Sequence, residues 1–216
     1  MQGQADIFRS VVACPLSCSE IVRDHHKNIP RGFFTQAEQG DTIQLLIVGL
    51  NPGQPMKNEK GLYVGMSADE MVKTHLQHVE SAFLSGRGKT FHRRLISWIE
   101  EVLDKPKDQV FRSVVYTNLV KCTTPNNRKP SFELSKICYG QHLQREISFW
   151  RPQVVVALGA ACSDLLRKLR VDHLQLPHPS HRKHAEFHRP FLIKLKERLR
   201  TQNSRVFRIV TWPGRP

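Results

Sequence analysis

Short, nearly continuous apolar runs alternate along this chain with longer stretches in which apolar residues recur at helical spacing. The runs Gln44–Gly49, Ser113–Asn118, Gln153–Leu158 and His173–Leu176 have the length and composition of strands covered on both faces. Helical periodicity marks Ala68–Phe83, Thr90–Leu103, Ser131–Trp150 and Ala160–Leu169, and Arg189–Arg200 reads as a last helix. Residues 1–43 have weak periodicity, two cysteines and the basic run Arg23–Lys27, and read as helix plus loop, while Val206–Thr211 reads as an added strand or a packed tail. Strands alternating with helices predict an α/β fold, a three-layer α/β/α sandwich around a central, mainly parallel four-stranded sheet. No repeat, low-complexity block or linker interrupts the pattern, so residues 1–216 are expected to form one domain.

Three of the predicted strands end on a polar group held by turn residues. The first runs into Gly49-Leu50-Asn51-Pro52-Gly53, the second reaches Asn118 and continues as Leu119-Val120-Lys121-Cys122, and the third delivers His178 between Pro177 and Pro179, ahead of Ser180. Open parallel sheets bind ligands outside the carboxyl ends of their strands, which makes Asn51, Asn118 and His178 candidates for one shared site. Each also has a plainer reading: Asn-Pro is a common turn, asparagine often satisfies a loop backbone, and most histidines do no chemistry.

Charge narrows the partners. Lys and Arg number 33 against 19 acidic residues, a net charge of +14, and an excess of that size favours nucleic acid through counterion release. No apolar run approaches the ~20 residues that span a bilayer, and Met1–Ser10 lacks the order of a signal peptide. An intracellular, cytoplasmic monomer without a membrane partner is expected, its five cysteines reduced.

Four of those cysteines fall into two separated pairs, Cys14 with Cys18 and Cys122 with Cys138, while Cys162 reads as a small residue packing a helix on the sheet. Spacing alone leaves three readings open: a [4Fe-4S] cluster, a structural zinc, or plain buried thiols.

In order and content, the three exits resemble the motifs of the uracil-DNA glycosylase superfamily, and the cysteine pattern resembles its iron–sulfur branch, family 4. The likeness runs from about Cys14 to Phe187. It implies a [4Fe-4S] cluster on Cys14, Cys18, Cys122 and Cys138, structural in role, with zinc as the alternative. It also implies that Asn118 reads the edge of a flipped base, that His178 in His178-Pro179-Ser180 stabilises the leaving base, and that Asn51 positions the attacking water. An asparagine there departs from the Gly-Glu-x-Pro-Gly of the iron–sulfur branch and resembles the single-strand-selective and mismatch-specific branches. Gly61-Leu62-Tyr63-Val64-Gly65 resembles the family's Gly-x-Pro-Phe-x-Gly, placing Tyr63 as the ring that stacks on the base, with Gly49 and Gly53 beside it. Arg182 sits where relatives fill the gap left in the duplex. Ser180, Lys183, Lys121, Arg128 and Lys129 would then face the DNA backbone.

The expected activity is hydrolytic removal of uracil, with other deaminated bases as further candidates, by a monofunctional DNA glycosylase of base excision repair. Two rivals stand beside it: a protein that traps the abasic sugar covalently through His178, and a non-catalytic nucleic-acid-binding module held by its cysteines.

Overall fold

The computed structural model describes residues 3–22, 29–38, 40–54, 59, 61–84, 90–181 and 185–210, with backbone only for 185 and 203–210. The elements in chain order are α1 (Gln4–Val12), β1 (Leu45–Gly49), α2 (Ala68–Leu84), α3 (Thr90–Leu103), α4 (Lys107–Val110), β2 (Val114–Asn118), α5 (Phe132–Cys138), α6 (Gln144–Trp150), β3 (Val154–Leu158), α7 (Ala160–Lys168), β4 (Leu174–Leu176) and α8 (Ala185–Val210). All four strands are parallel, in the order β2-β1-β3-β4. Each begins one residue later than its apolar run and ends where the run ends.

Alternation along the strands divides the core in two. Leu46, Val48, Val115, Val155 and Ala157 face a layer built from α1, α5, α6 and α7. Leu45, Ile47, Val114, Val154, Val156 and Leu158 face Phe83 of α2, Leu95, Ile96 and Ile99 of α3, and Leu192, Leu195 and Leu199 of α8. These are the two outer layers of an α/β/α sandwich. The chain leaves β1 toward β2 on one side and leaves β3 toward β4 on the other, so the order reverses between β1 and β3 and opens a crevice at their carboxyl ends.

Three expectations change. Ser131–Trp150 is not one regular helix: Ser131 caps α5 by accepting from the Leu134 N–H, and a π turn over Tyr139–Leu143 joins α5 to α6. Within the stretch read as helix plus loop, Phe34 exchanges backbone hydrogen bonds with Tyr116 (2.8 and 2.9 Å), and Arg31 N–H donates to the Lys121 carbonyl at 2.8 Å. That segment covers the outer edge of β2, an edge that would otherwise offer unpaired backbone groups. The strand or tail at Val206–Thr211 gives way to α8, which continues to Val210, because extending an established helix is easier than starting a strand with no partner; Thr211 and the basic run Arg23–Lys27 lie outside the described residues.

Candidate functional site

A cavity of about 660 Å³ opens at the reversal point, and Asn51, Asn118 and His178 all line it. It lies where three strands end.

Asn118 closes β2 and is buried, paired in register with Gly49 of β1. A Cβ at Gly49 would stand 2.6 Å from Asn118 Oδ1 and 3.3 Å from the Tyr116 hydroxyl. Glycine is required here by space, since Gly49 has no positive φ. Tyr116, two residues before Asn118 and so on the same face of β2, hydrogen-bonds to it; burial pushes the Tyr116 phenol up to about 12, so it stays protonated and steers the amide.

Asn51 stands on the loop after β1. Its amide nitrogen donates to Thr124 Oγ1 at 3.0 Å and to the Pro52 carbonyl at 3.3 Å. Thr124 donates onward to the Arg128 carbonyl, Gln54 Nε2 donates to the Thr124 carbonyl at 3.3 Å, and Thr123 Oγ1 donates to the Gly53 carbonyl at 3.3 Å. The loops after β1 and β2 are therefore laced into one wall. Gly53 borders the cavity with nothing within 4 Å of where its Cβ would be.

His178 follows β4 at the exposed rim. Its ring lies against Phe91 of α3, centroids 5.4 Å apart, and Gly159, whose φ of +82° suits glycine, borders it: a Cβ there would sit in contact, 3.4 Å from the His178 Cβ. Nδ1 accepts the Ser180 backbone N–H at 3.2 Å. A nitrogen that accepts is unprotonated, so the neutral ring carries its proton on Nε2. Burial, and secondly the charge of His181, lowers its pKa below the ordinary histidine value and favours that neutral form.

Two assignments are corrected. Tyr63 does not line the cavity: it is fully buried, its hydroxyl 3.4 Å from His75 Nδ1, in a turn that packs the ring inward. The aromatic rings at the cavity wall belong instead to Phe33, Phe34, Phe83, Phe91 and Tyr116. Lys121 does not reach solvent. Its Nζ lies 2.7 Å from Glu146 Oε1 and donates to Thr117 Oγ1 at 2.6 Å, and a buried cation so paired has nothing left for a phosphate. Arg128 and Lys129 are exposed on the β2 loop, and Ser180 is exposed at the cavity rim. Arg182 and Lys183 lie outside the described residues.

Cys138 ends α5, and Cys14 and Cys18 of the N-terminal segment act on it. Burial raises the Cys138 pKa, the Lys121 backbone N–H bonded to it pulls the other way, and the charges of Cys18 and Cys14 raise it further. Those two thiols thus lie within electrostatic reach of the third. Cys122 is buried next to Lys121, and a bridge between Val22 and Thr123 ties the N-terminal segment to the same loop. Among the described residues, no three His, Cys, Asp or Glu side chains stand close enough to grip a single metal ion.

The profile of the Uracil DNA glycosylase superfamily matches residues 37–200, a stretch that begins ahead of β1 and runs into α8. The chain belongs to this superfamily. Similar relatives are type-4 uracil-DNA glycosylases from Sulfurisphaera tokodaii, 38% identical over 77 residues (36% of this chain, 31% of the relative), and from Saccharolobus solfataricus, 37% identical over 70 residues (32% and 30%). A third, from Archaeoglobus fulgidus, is 39% identical over 56 residues, 26% of this chain and 28% of the relative. The chain matches about a third of the length of these curated relatives.

Within this superfamily member, three cavity features escape the sequence reading. Tyr116 was legible in principle from its two-residue spacing to Asn118. Arg31 and Glu59 were not. Their ion pair, Nη2 to Oε1 at 2.6 Å, joins two loop segments at the cavity wall, with His78 Nε2 3.8 Å from the other carboxylate oxygen. Neither loop carries a periodic signal.

Proposed function

We propose that the chain is a monofunctional uracil-DNA glycosylase that flips uracil out of DNA into this cavity and hydrolyses its N-glycosidic bond. The observation that carries the reading is the convergence of Asn51, Asn118 and His178, from three separate strand exits, on one cavity. Gathering of all four strands into one sheet supports a single domain.

Asn118 accepts from uracil N3–H and donates to O4, a pattern that cytosine, with a bare N3 and an amino group, does not match. As the C1′–N1 bond breaks, the base leaves with the electron pair and the sugar becomes cationic. His178 donates Nε2–H to the developing oxyanion at O2, and donors aimed at such charge are usually the largest catalytic contribution. With its nitrogen engaged by Thr124, the Asn51 amide has its oxygen left to accept from water, which adds to C1′ and loses its proton to solvent. Phe91, Phe34 and Phe83 supply apolar walls for a flat ring. Exposed Arg128, Lys129 and Ser180, with Arg182 and Lys183, contact phosphates. The Nδ1 bond from Ser180 supports hydrolysis over covalent trapping, because a histidine attacking through Nε2 needs that nitrogen bare.

A duplex carrying one uracil should, after incubation and alkali, be cut at that position. Intact DNA would overturn the assignment, and a protein band shifted through denaturation would point to the trap.

The same reading puts a [4Fe-4S] cluster on Cys14, Cys18, Cys122 and Cys138. The donor chemistry fits: reduced thiols from two distant segments, with Cys14 and Cys18 within electrostatic reach of Cys138, are the ligands such a cluster takes. Bound there, the cluster ties the N-terminal segment to the loop after Asn118 and performs no step of the reaction. Protein purified without air should be brown with about four iron per chain. Stoichiometric zinc without iron would exclude the cluster. Cys138→Ser should lose the metal, and Cys162→Ser should keep it.

A further inference from the structure

Arg94 is no part of the sequence motifs, yet it is bonded directly to the turn that carries His178. It projects from α3 one turn after Phe91, so that both side chains leave the same face of the helix. Phe91 backs the imidazole. Arg94 Nη1 donates to the Pro179 carbonyl at 2.7 Å and to the His181 carbonyl at 2.5 Å. The turn closes on itself through the His181 N–H, which donates to the His178 carbonyl at 2.8 Å.

One of the two carbonyls held by Arg94 belongs to the peptide unit whose N–H meets the histidine. Pro179 C=O and Ser180 N–H are the two ends of a single planar peptide, and in a trans peptide they point in opposite directions. Pinning the oxygen on Arg94 therefore aims the N–H at His178 Nδ1, where it is donated at 3.2 Å. The guanidinium also polarises that peptide, since hydrogen bonds in series strengthen one another. A better donor at Ser180 holds Nδ1 as an acceptor and leaves the proton on Nε2.

We infer that Arg94 is a positioning residue that sets the tautomer and orientation of His178 through the Pro179–Ser180 peptide. It touches neither base nor sugar. The inference rests on the glycosylase reading for its catalytic consequence, but its structural content stands apart from it. Among the described residues, the groups around the imidazole are Phe91 and Arg94 from α3, Gly159 at the end of β3, and Ser180 and His181 on its own turn.

The test compares wild type with Arg94→Gln and Arg94→Lys, using nitrogen NMR of the histidine rings together with single-turnover release of uracil from a duplex. In wild type, His178 should show an accepting Nδ1 and a protonated Nε2 through neutral pH. In Arg94→Gln the ring should become a mixture of tautomers and protonate at higher pH, and uracil release should slow by about 10–100-fold, with unchanged affinity for a duplex bearing a non-cleavable uracil analogue. Arg94→Lys, which keeps a charged donor, should restore much of both signals. An unchanged His178 spectrum in Arg94→Gln would overturn the inference whatever the rate, and so would an altered spectrum with full rate. If wild type releases no uracil, the glycosylase reading fails, and the NMR comparison still decides whether Arg94 governs the ring.

Discussion

His178→Ala is expected to slow single-turnover release of uracil by about 10²–10³ and to leave affinity for a non-cleavable analogue duplex nearly unchanged. The split follows from what the ring meets. Its Nε2–H faces an oxygen that is a neutral carbonyl in the bound substrate and becomes an anion only as the bond breaks, so the lost energy belongs to the transition state. Because burial and His181 hold its pKa below the ordinary value, the neutral donor persists as pH falls through the range in which a free histidine charges. The wild-type rate should therefore stay flat to more acidic pH than a histidine of ordinary pKa would allow. Single-turnover profiles for both proteins check this; an equal rate in His178→Ala would remove the histidine from the chemistry.

Gly49→Ala should be nearly as damaging, although it alters one atom and leaves every polar side chain in place. The new Cβ would lie 2.6 Å from Asn118 Oδ1, well inside contact distance, and both residues are held in register on adjacent strands. Something must give: the amide rotates away from the base, or the strands part. Overpacking of this kind costs about 1–3 kcal/mol of stability. Excision should fall by about 10² or more if the amide yields, as losing one preorganised group does. A mutant cycle separates the routes. In an Asn118→Ala background the alanine at 49 meets only the Tyr116 hydroxyl, at 3.3 Å, and should cost much less further rate or melting temperature, whereas a full additive loss would show that Gly49 acts elsewhere.

The sheet was the most legible part of the chain because β1, β2 and β3 are largely covered on both faces, which leaves short apolar runs whose ends are marked by Gly49, Asn118 and Gly159. Helices α2, α3 and α7 were likewise visible in their periodicity. The π turn at Tyr139–Leu143 was hidden, since one extra residue in a helical turn hardly disturbs a pattern of apolar positions. Loop assignments depended on direction, and direction is a tertiary property. Lys121 sits in a basic-looking segment and turns inward only because Glu146, on α6, waits there. Tyr63 has the expected neighbours in sequence but turns toward His75, whose own pKa is driven down to about 3 by burial. Arg31, Glu59 and Arg94 act across loops or helices separated widely along the chain, where no short motif links them.

Cys162 was read only as packing, and it does pack, yet it also forms part of the cavity wall. Its thiol donates to the Val48 carbonyl at 3.4 Å and burial pushes its pKa up to about 12, so near neutral pH almost none of it is the thiolate that alkylating reagents need. Cys162 should be modified only when α7 lifts from the sheet. The rate at which a small alkylating reagent labels this one sulfur is thus a built-in clock for how often the cavity wall breathes, readable by mass spectrometry with no engineered probe.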